Sequence, residues 1–193
     1  MENIQPTTHK MHTYVLSVIS SDRPGIVAAV SEAVEHFGGN ILSCSQTVLC
    51  GYFTLITILE LPQNPQPQEF ADNVRKFGKM GDDYQIVVRK ADEIKPKMEK
   101  QTDPFVIAAF GEDRPGIICR FTKYFFGRDI NIVDLFAEQS GKDFHIVAQL
   151  DIPKELDIRL IQDDLEEIAT ELGFTVRLQH KNIFTVTNHL RFA

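Results

Sequence analysis

The sequence lacks a long apolar run, and it has few cysteines. No stretch approaches the ~18 consecutive apolar residues of a membrane-spanning helix, and residues 1–11 lack the apolar centre of a signal peptide. Cys44, Cys50 and Cys119 are odd in number and include no close pair at metal-ligand spacing. We therefore expect a cytoplasmic protein with reduced, partly buried thiols.

Basic residues are also in short supply. Lysine and arginine number 20 against 27 aspartates and glutamates, which gives a formal net charge of −7. Non-specific binding to nucleic acid is driven by lysines and arginines that neutralise phosphates, so this balance argues against a direct nucleic-acid partner. Together with the missing apolar run, it predicts neither a nucleic acid nor a membrane as partner.

The sequence shows no constellation of catalytic or metal-binding residues. His9 and His12 are spaced as H-x-x-H but lie in the leader, and a metal site would need about three or four fixed ligands. No Ser/His/Asp order, paired cysteine or phosphate-binding loop emerges. His145 has no partner at a spacing that suits a general base. We predict no metal, no cofactor and no enzymatic activity.

The sequence does contain an internal repeat. Asp-Arg-Pro-Gly-Ile at residues 22–26 recurs 91 residues later at residues 113–117. The same offset relates Asn40 to Asn131, and roughly forty residues align without insertion or deletion, which indicates a duplicated structural unit. A chain of 193 residues has room for two small domains. We therefore expect two copies of one domain.

Four strands are predicted in the first copy. Runs rich in apolar and β-branched residues place them over residues 11–20, 40–50, 52–61 and 84–89. Gly51 separates the second strand from the third and predicts a tight hairpin. The first and third strands are expected to form the middle pair of the sheet, with the second strand beside the first at an edge.

Two helices are indicated between these strands. Apolar residues recur at helical spacing over residues 26–37 and again over residues 70–77. Pro24 is expected in the first turn of the first helix, and Gly38-Gly39 at its end. The element order is therefore β-α-β-β-α-β, which is the split βαβ of ferredoxin-like folds.

The second copy repeats this order. Its strands are predicted over residues 105–110, 131–139, 143–152 and 174–178, and its helices over residues 117–125 and 161–172. The third strands of the two copies match in their apolar positions, which preserves the side that faces the core. We expect an α+β protein with two ferredoxin-like domains in tandem, each with an antiparallel sheet and its helices on one face.

The domain organisation follows from these elements. The two domains are predicted over residues 12–91 and 104–181, after a flexible leader over residues 1–11. Residues 92–103 are polar, charged and bounded by prolines, which is typical of a linker. The tail over residues 182–193 is expected to pack on a domain or a partner. Small cores and free strand edges favour pairing of the units or a homo-oligomer.

The repeated pentapeptide has the composition of a ligand-binding loop. The chain leaves a strand and enters a helix whose first N–H groups are unpaired, and these donors form a small anion site with the helix dipole. Gly25 and Gly116 let a ligand approach closely, and Asp22 and Asp113 can cap the turn. Backbone geometry alone also accounts for proline and glycine at such a turn, so a purely structural role stays open.

The asparagines that begin the second strand of each copy are further candidates. An amide offers both donors and an acceptor, which suits the ammonium and carboxylate of an amino acid. After Asn40 and Asn131 the copies diverge, with Ser-Cys-Ser-Gln at residues 43–46 against Asp-Leu-Phe-Ala at residues 134–137. The two sites therefore need not bind the same ligand, and one of them can be structural.

These residues resemble the ACT domain. The resemblance lies in Asp-Arg-Pro-Gly-Ile, a helix and then Gly-Gly-Asn-Ile or Asp-Ile-Asn-Ile inside a β-α-β-β-α-β unit. ACT domains are regulatory modules, and many bind amino acids at interfaces between two such domains. The tandem arrangement resembles the glycine cleavage system transcriptional repressor group. The ligand-binding residues that this resemblance implies are Asp22, Arg23, Pro24, Gly25, Ile26, Asn40, Asp113, Arg114, Pro115, Gly116, Ile117 and Asn131.

The resemblance implies a non-enzymatic regulatory protein. It would bind a small amino acid, glycine- or serine-like, and signal through contact with another protein in transcriptional control of amino-acid metabolism. One alternative is an interaction module that pairs through sheet edges without a ligand. Another is an RNA-binding module, which would need aromatic and basic residues on the exposed sheet. On that face, by contrast, the third strand of the first copy has Thr54, Ile56 and Ile58, and that of the second copy has His145, Val147 and Gln149.

Overall fold

The structure is a computed structural model that describes residues 10–78, 83–91 and 101–184. The chain divides into two compact units, Met1–Pro96 and Lys97–Ala193. Each unit has the β-α-β-β-α-β order and one four-stranded antiparallel sheet. The predicted fold class is therefore confirmed. None of the helices within the described residues is long and apolar enough to cross a membrane.

The first unit has its central strands where the sequence predicts them. Its elements are β1 (His12–Ser21), α1 (Ile26–His36), β2 (Asn40–Leu49), β3 (Tyr52–Leu61), α2 (Pro67–Phe77) and β4 (Gln85–Ala91). The strand order is β2-β3-β1-β4, so the expectation that β2 lies beside β1 was wrong. Cys50 and Gly51 both have positive φ, at 49° and 81°. This two-residue turn is typical of a tight hairpin and pairs β2 directly with β3.

The second unit repeats this arrangement. Its elements are β5 (Thr102–Glu112), α3 (Ile117–Gly127), β6 (Asn131–Ser140), β7 (Asp143–Pro153), α4 (Ile158–Leu172) and β8 (Phe174–His180), in the sheet order β6-β7-β5-β8. β5 begins two residues before the predicted start of the second domain. Pro104 is tolerated inside β5 because only β7 pairs with the strand there; pairing with β8 starts at Phe105.

The remaining predictions about chain organisation fall largely outside the described residues. Residues 1–9 of the predicted leader, residues 92–100 of the predicted linker and residues 185–193 of the predicted tail are not described. Residues 181–184, which follow β8, are helical.

The helices of the first unit pack on one face of its sheet. The predicted apolar side of α1 is buried and consists of Ile26, Ala29, Val30, Ala33, Val34 and Phe37. It packs in one cluster with alternate residues of β3 and with Phe70 of α2. Ile19, Ile56 and Val87 lie on the opposite face of the sheet and are about half exposed, at 45%, 51% and 53%. Among the described residues of the first unit, no helix therefore covers this apolar sheet surface.

Thr57 is an exception in the core of the first unit. It lies on the helix-covered face of β3 and is 1% exposed. Among the described residues its hydroxyl has no hydrogen-bond partner. The aligned residue of the second unit, Ala148, is also buried and carries no polar group. An unsatisfied buried hydroxyl costs about 1–3 kcal/mol, so Thr57 lowers the stability of its unit.

Replacing Thr57 by valine is expected to stabilise the first unit by about 1 kcal/mol, because the change removes the unpaired hydroxyl and keeps a branched side chain. The measurement is the free energy of unfolding in urea, followed by circular dichroism. Thr57→Ser is the matched control; it keeps the hydroxyl, loses a buried methyl and should be less stable than the wild type. A Thr57→Val variant that is less stable than the wild type would show that the hydroxyl has a partner in solution.

Candidate functional site

Each repeated pentapeptide connects the first strand of its unit to the first helix. α1 begins after Gly25, which has φ +97°, and α3 begins after Gly116, which has φ +93°. L-residues rarely adopt this conformation, so the backbone requires glycine at both positions. A Cβ placed on either glycine would meet nothing within 4 Å. The space where a side chain would stand at each glycine is therefore open. Pro24 precedes the helix, which corrects its predicted place in the first turn.

The predicted capping by the loop aspartates was wrong. Neither α1 nor α3 has a side-chain cap at its N-terminus. Instead, the backbone N–H of Asp22 donates to the carbonyl of Gly51 at 2.9 Å, and that of Asp113 donates to the carbonyl of Lys142 at 2.8 Å. These bonds attach each loop to the hairpin turn of its own sheet. The aspartate carboxylates are left for contacts other than capping.

Arg23 reaches the start of β4. Its Nε donates to the Tyr84 hydroxyl at 2.5 Å, and the guanidinium carbon lies 4.4 Å from the centroid of the Tyr84 ring. The hydrogen bond to Tyr84 is the main reason why the pKa of Arg23 lies above its ordinary value. An exposed ion pair with Asp83 at 3.3 Å adds little stability. Arg23 thus holds the loop against the last strand of the first unit.

Arg114 has a comparable position with different partners. Its guanidinium lies against the backbone at Gly173, just before β8, about 3.5 Å from where a Cβ would stand. It also pairs with Glu112 at 3.4 Å. Arg23 and Arg114 therefore have the same position in their loops but contact different side chains.

The structure does not bring the predicted asparagines to the loops of their own units. Asn40 pairs with Glu60 at one end of β3, whereas the loop follows Ser21, which pairs with Tyr52 at the other end. The span from residue 52 to residue 60 is about 27 Å in an antiparallel strand. Asn131 has the equivalent position opposite Asp151. One small ligand therefore cannot contact both the loop and the asparagine of a single unit.

The loop of the first unit borders an open groove with a volume of about 440 Å³. Residues 22–28 line it together with Gln46 of β2 and Phe53 of β3. The first helical hydrogen bond runs from the N–H of Ala29 to the carbonyl of Gly25 at 3.0 Å. The N–H groups of residues 26–28 therefore have no acceptor inside the helix. Sequence reasoning missed Gln46 as a groove residue, although it noted the divergence of the copies at residues 43–46.

The loop of the second unit has different neighbours. Oδ2 of Asp113 accepts a hydrogen bond from Nε2 of Gln139 at 3.0 Å. Gln139 aligns with Val48 of the first unit at the offset of 91 residues. Ala137 aligns with Gln46 and packs partly buried against the core. The two loops therefore share their backbone conformation, and the side chains around them are not equivalent.

The thiols do not form a site of their own. Cys44, Cys50 and Cys119 are free and exposed, so the expectation of partial burial was wrong. Cys44 lies on an edge strand whose residues are almost all exposed, Cys50 in the hairpin turn and Cys119 on the solvent side of α3. Within the part of the chain that the structure describes, no three histidine, cysteine, aspartate or glutamate residues are placed to hold a metal ion.

Sequence comparison identifies similar proteins for both units. The family model of the ACT domain matches residues 12–79 and 103–179. A UPF0237 protein of Listeria monocytogenes is 34% identical over 87 residues, which is 45% of this chain and 96% of that protein. A UPF0237 protein of Methanococcus maripaludis is 34% identical over 80 residues, which is 41% of this chain and 89% of that protein.

Two solved structures share the fold across both units. An unknown protein from Galdieria sulphuraria has a TM-score of 0.73 at 23% identity, with 89% of this chain and 99% of that chain covered. A protein provisionally assigned as a glycine cleavage system transcriptional repressor has a TM-score of 0.62 at 20% identity, with the same coverage. At these identities the likeness shows a common fold.

Proposed function

This chain belongs to the ACT domain family, and from that premise we propose that it is a non-enzymatic regulatory protein that binds a small amino acid, glycine- or serine-like. The observation that carries the proposal is the open groove beside the first loop, which combines unpaired backbone donors with polar side chains. ACT domains are regulatory modules, and a groove of this composition suits a ligand that carries both signs of charge.

The groove contains complementary groups for an amino acid. The N–H groups of residues 26–28 and the positive end of the α1 dipole would receive the carboxylate. The Asp22 carboxylate and the Gln46 amide oxygen would receive the ammonium group, since both are acceptors. Gly25 leaves the approach unobstructed. Asn40 and Asn131 stay in the proposal as contacts made across an interface with a second copy of the chain.

We further propose that the bound state is transmitted to a protein partner in the cytoplasm, in transcriptional control of amino-acid metabolism. The net charge of −7 favours control through a protein over direct contact with nucleic acid. Free, exposed cysteines are consistent with a reducing compartment. The apolar sheet surface formed by Ile19, Ile56 and Val87 offers a place for a partner or for a second copy.

Isothermal titration of the full chain against the common amino acids tests the proposal. Glycine or L-serine is expected to give a saturable signal and to raise the unfolding midpoint, because a ligand that binds only the folded state stabilises it. N-acetylglycine and ethanolamine are the controls: the first lacks the ammonium group and the second lacks the carboxylate, and neither should bind. Silence across the whole panel would remove amino-acid sensing.

A ligand-free interaction module is the second candidate. It is favoured by the half-exposed apolar sheet surface of the first unit, which by itself suggests contact with another protein. In that case Ile56→Ser would change the sedimentation behaviour of the chain, and no amino acid would affect it. If Ile56→Ser still bound an amino acid, ligand binding in the groove would not depend on this sheet surface.

A further inference from the structure

We infer that only the first unit binds the amino acid. In the second unit the side chain of Gln139 is hydrogen-bonded to the loop aspartate, Asp113. The inference rests on the proposed function and adds which copy is used and which residues decide it. It predicts one ligand per chain. The observations that carry it are the different hydrogen bonds and neighbours of two aspartates that occupy the same place in two copies of one loop.

In the second unit the acceptor of the loop is already paired. Gln139 lies on β6, on the helix-covered side of the strand opposite Phe144, and its side-chain NH₂ donates to Oδ2 of Asp113 at 3.0 Å. An amide NH₂ on a carboxylate makes the same type of contact as an ammonium group. An incoming ammonium group would compete with this amide for the Asp113 carboxylate, because Oδ2 already accepts a hydrogen bond.

In the first unit the corresponding acceptor is available. Val48 stands at the position of Gln139, and its side chain has no donor for Asp22. Within residues 10–78, 83–91 and 101–184, neither the Asp22 carboxylate nor the Gln46 side-chain amide has a hydrogen-bond or ion-pair partner. Both residues line the same groove. A ligand would therefore gain these contacts without first breaking an internal one.

Gln46 reinforces the difference between the copies. It pairs opposite Leu55, which places its side chain on the helix-covered side of β2, towards the N-terminus of α1. Ala137 replaces it in the second unit and packs against the core. The second loop thus lacks the amide, and its aspartate already accepts a hydrogen bond from Gln139. The structure therefore favours an α-amino acid with a free ammonium group as the ligand of the first unit alone.

Titration of the full chain with glycine and with L-serine provides the test. The expected stoichiometry is one ligand per chain. Asp22→Asn is expected to weaken binding at least about tenfold, because the ammonium group loses a charge-assisted hydrogen bond. Asp113→Asn, the matched control in the second unit, should leave the affinity unchanged. NMR spectra should show a shift of the Gly25 amide on titration and none of the Gly116 amide.

Exchange of side chains between the copies gives the converse test. The double variant Ala137→Gln with Gln139→Val transfers the first unit's residues to the second and is expected to raise the stoichiometry from one to two. Val48→Gln should weaken binding in the first unit, since it supplies an internal partner for Asp22. Circular dichroism and the unfolding midpoint of each variant verify that both units remain folded.

The outcomes separate this inference from the proposed function. Three outcomes would overturn the assignment of the ligand to the first unit alone: two ligands per wild-type chain, loss of binding in Asp113→Asn, or unchanged binding in Asp22→Asn. None of the three would contradict amino-acid binding by the chain. Absence of binding by the wild-type chain would overturn the proposed function and this inference with it.

Discussion

Replacement of Gly39 by alanine is expected to destabilise the first unit by about 3 kcal/mol, because the added methyl group has no room. A Cβ at this position would lie 2.3 Å from Cδ2 of Leu61 and 2.5 Å from the carbonyl oxygen of Glu60. Leu61 is fully buried, and the carbonyl belongs to the backbone of β3. Neither neighbour can move without a shift of the entry into β2 relative to β3.

Urea denaturation followed by circular dichroism measures this effect. Gly127→Ala is the control, since a Cβ there would meet nothing within 4 Å and the residue does not have a positive φ. It should be neutral or slightly stabilising, because alanine favours the helix that glycine ends. If the two units unfold separately, Gly39→Ala should shift to lower urea concentration a transition that accounts for about half of the circular dichroism change. An unchanged midpoint would contradict the close approach of β2 and β3 at Gly39.

The repeat and the apolar periodicity were sufficient to predict the fold class and the element order of both units, but they did not give the position of β2 in the sheet. The helical spacing within residues 26–37 predicts the buried side of α1, because the apolar residues that recur at this spacing are buried: Ile26, Ala29, Val30, Ala33, Val34 and Phe37. Alternation in β3 and β7 gives the core side of the sheets for the same reason. Both patterns are predictive because the apolar side of a helix or strand is the side that the core buries.

The composition of the candidate site was harder to predict because β2 has no such pattern. Nearly all of its residues are exposed, so the sequence does not show which of them face the helix. The strand also has a register shift between Ile41 and Ser43, which changes the side on which later residues lie. The position of Gln46 beside the loop follows from this irregularity, and only the structure reveals it.

The length of α1 explains why each asparagine lies far from the loop of its own unit. Eleven residues of helix carry the chain about 16 Å along the sheet before β2 begins. Asn40 and the loop, which are close in sequence, are thereby placed at opposite ends of the sheet. The same separation explains why the side chains that face the loop come from the far end of β2, at Gln46, and from its equivalent in β6, at Gln139.

Replacement of Phe70 by alanine is expected to have the largest effect on stability, about 4 kcal/mol, since it removes a fully buried ring and leaves a cavity. Phe70 is 0% exposed. Its ring centroid lies 5.4 Å from that of Phe37 and 6.4 Å from that of Tyr14, so it joins α2 to the end of α1 and to β1. Loss of this contact should loosen the helix whose first turn forms the groove.

The second unit supplies the control for this experiment. Ile161 aligns with Phe70 and is also fully buried, and Ile161→Val should cost only about 1 kcal/mol. Phe70→Ala should unfold the first unit at a lower urea concentration and abolish amino-acid binding before the second unit unfolds. If Phe70→Ala lost the whole circular dichroism signal in one transition, the units would be shown to unfold together. If it kept wild-type affinity after its first transition, the ligand would be bound by the second unit, which would contradict the assignment of the groove beside Gly25.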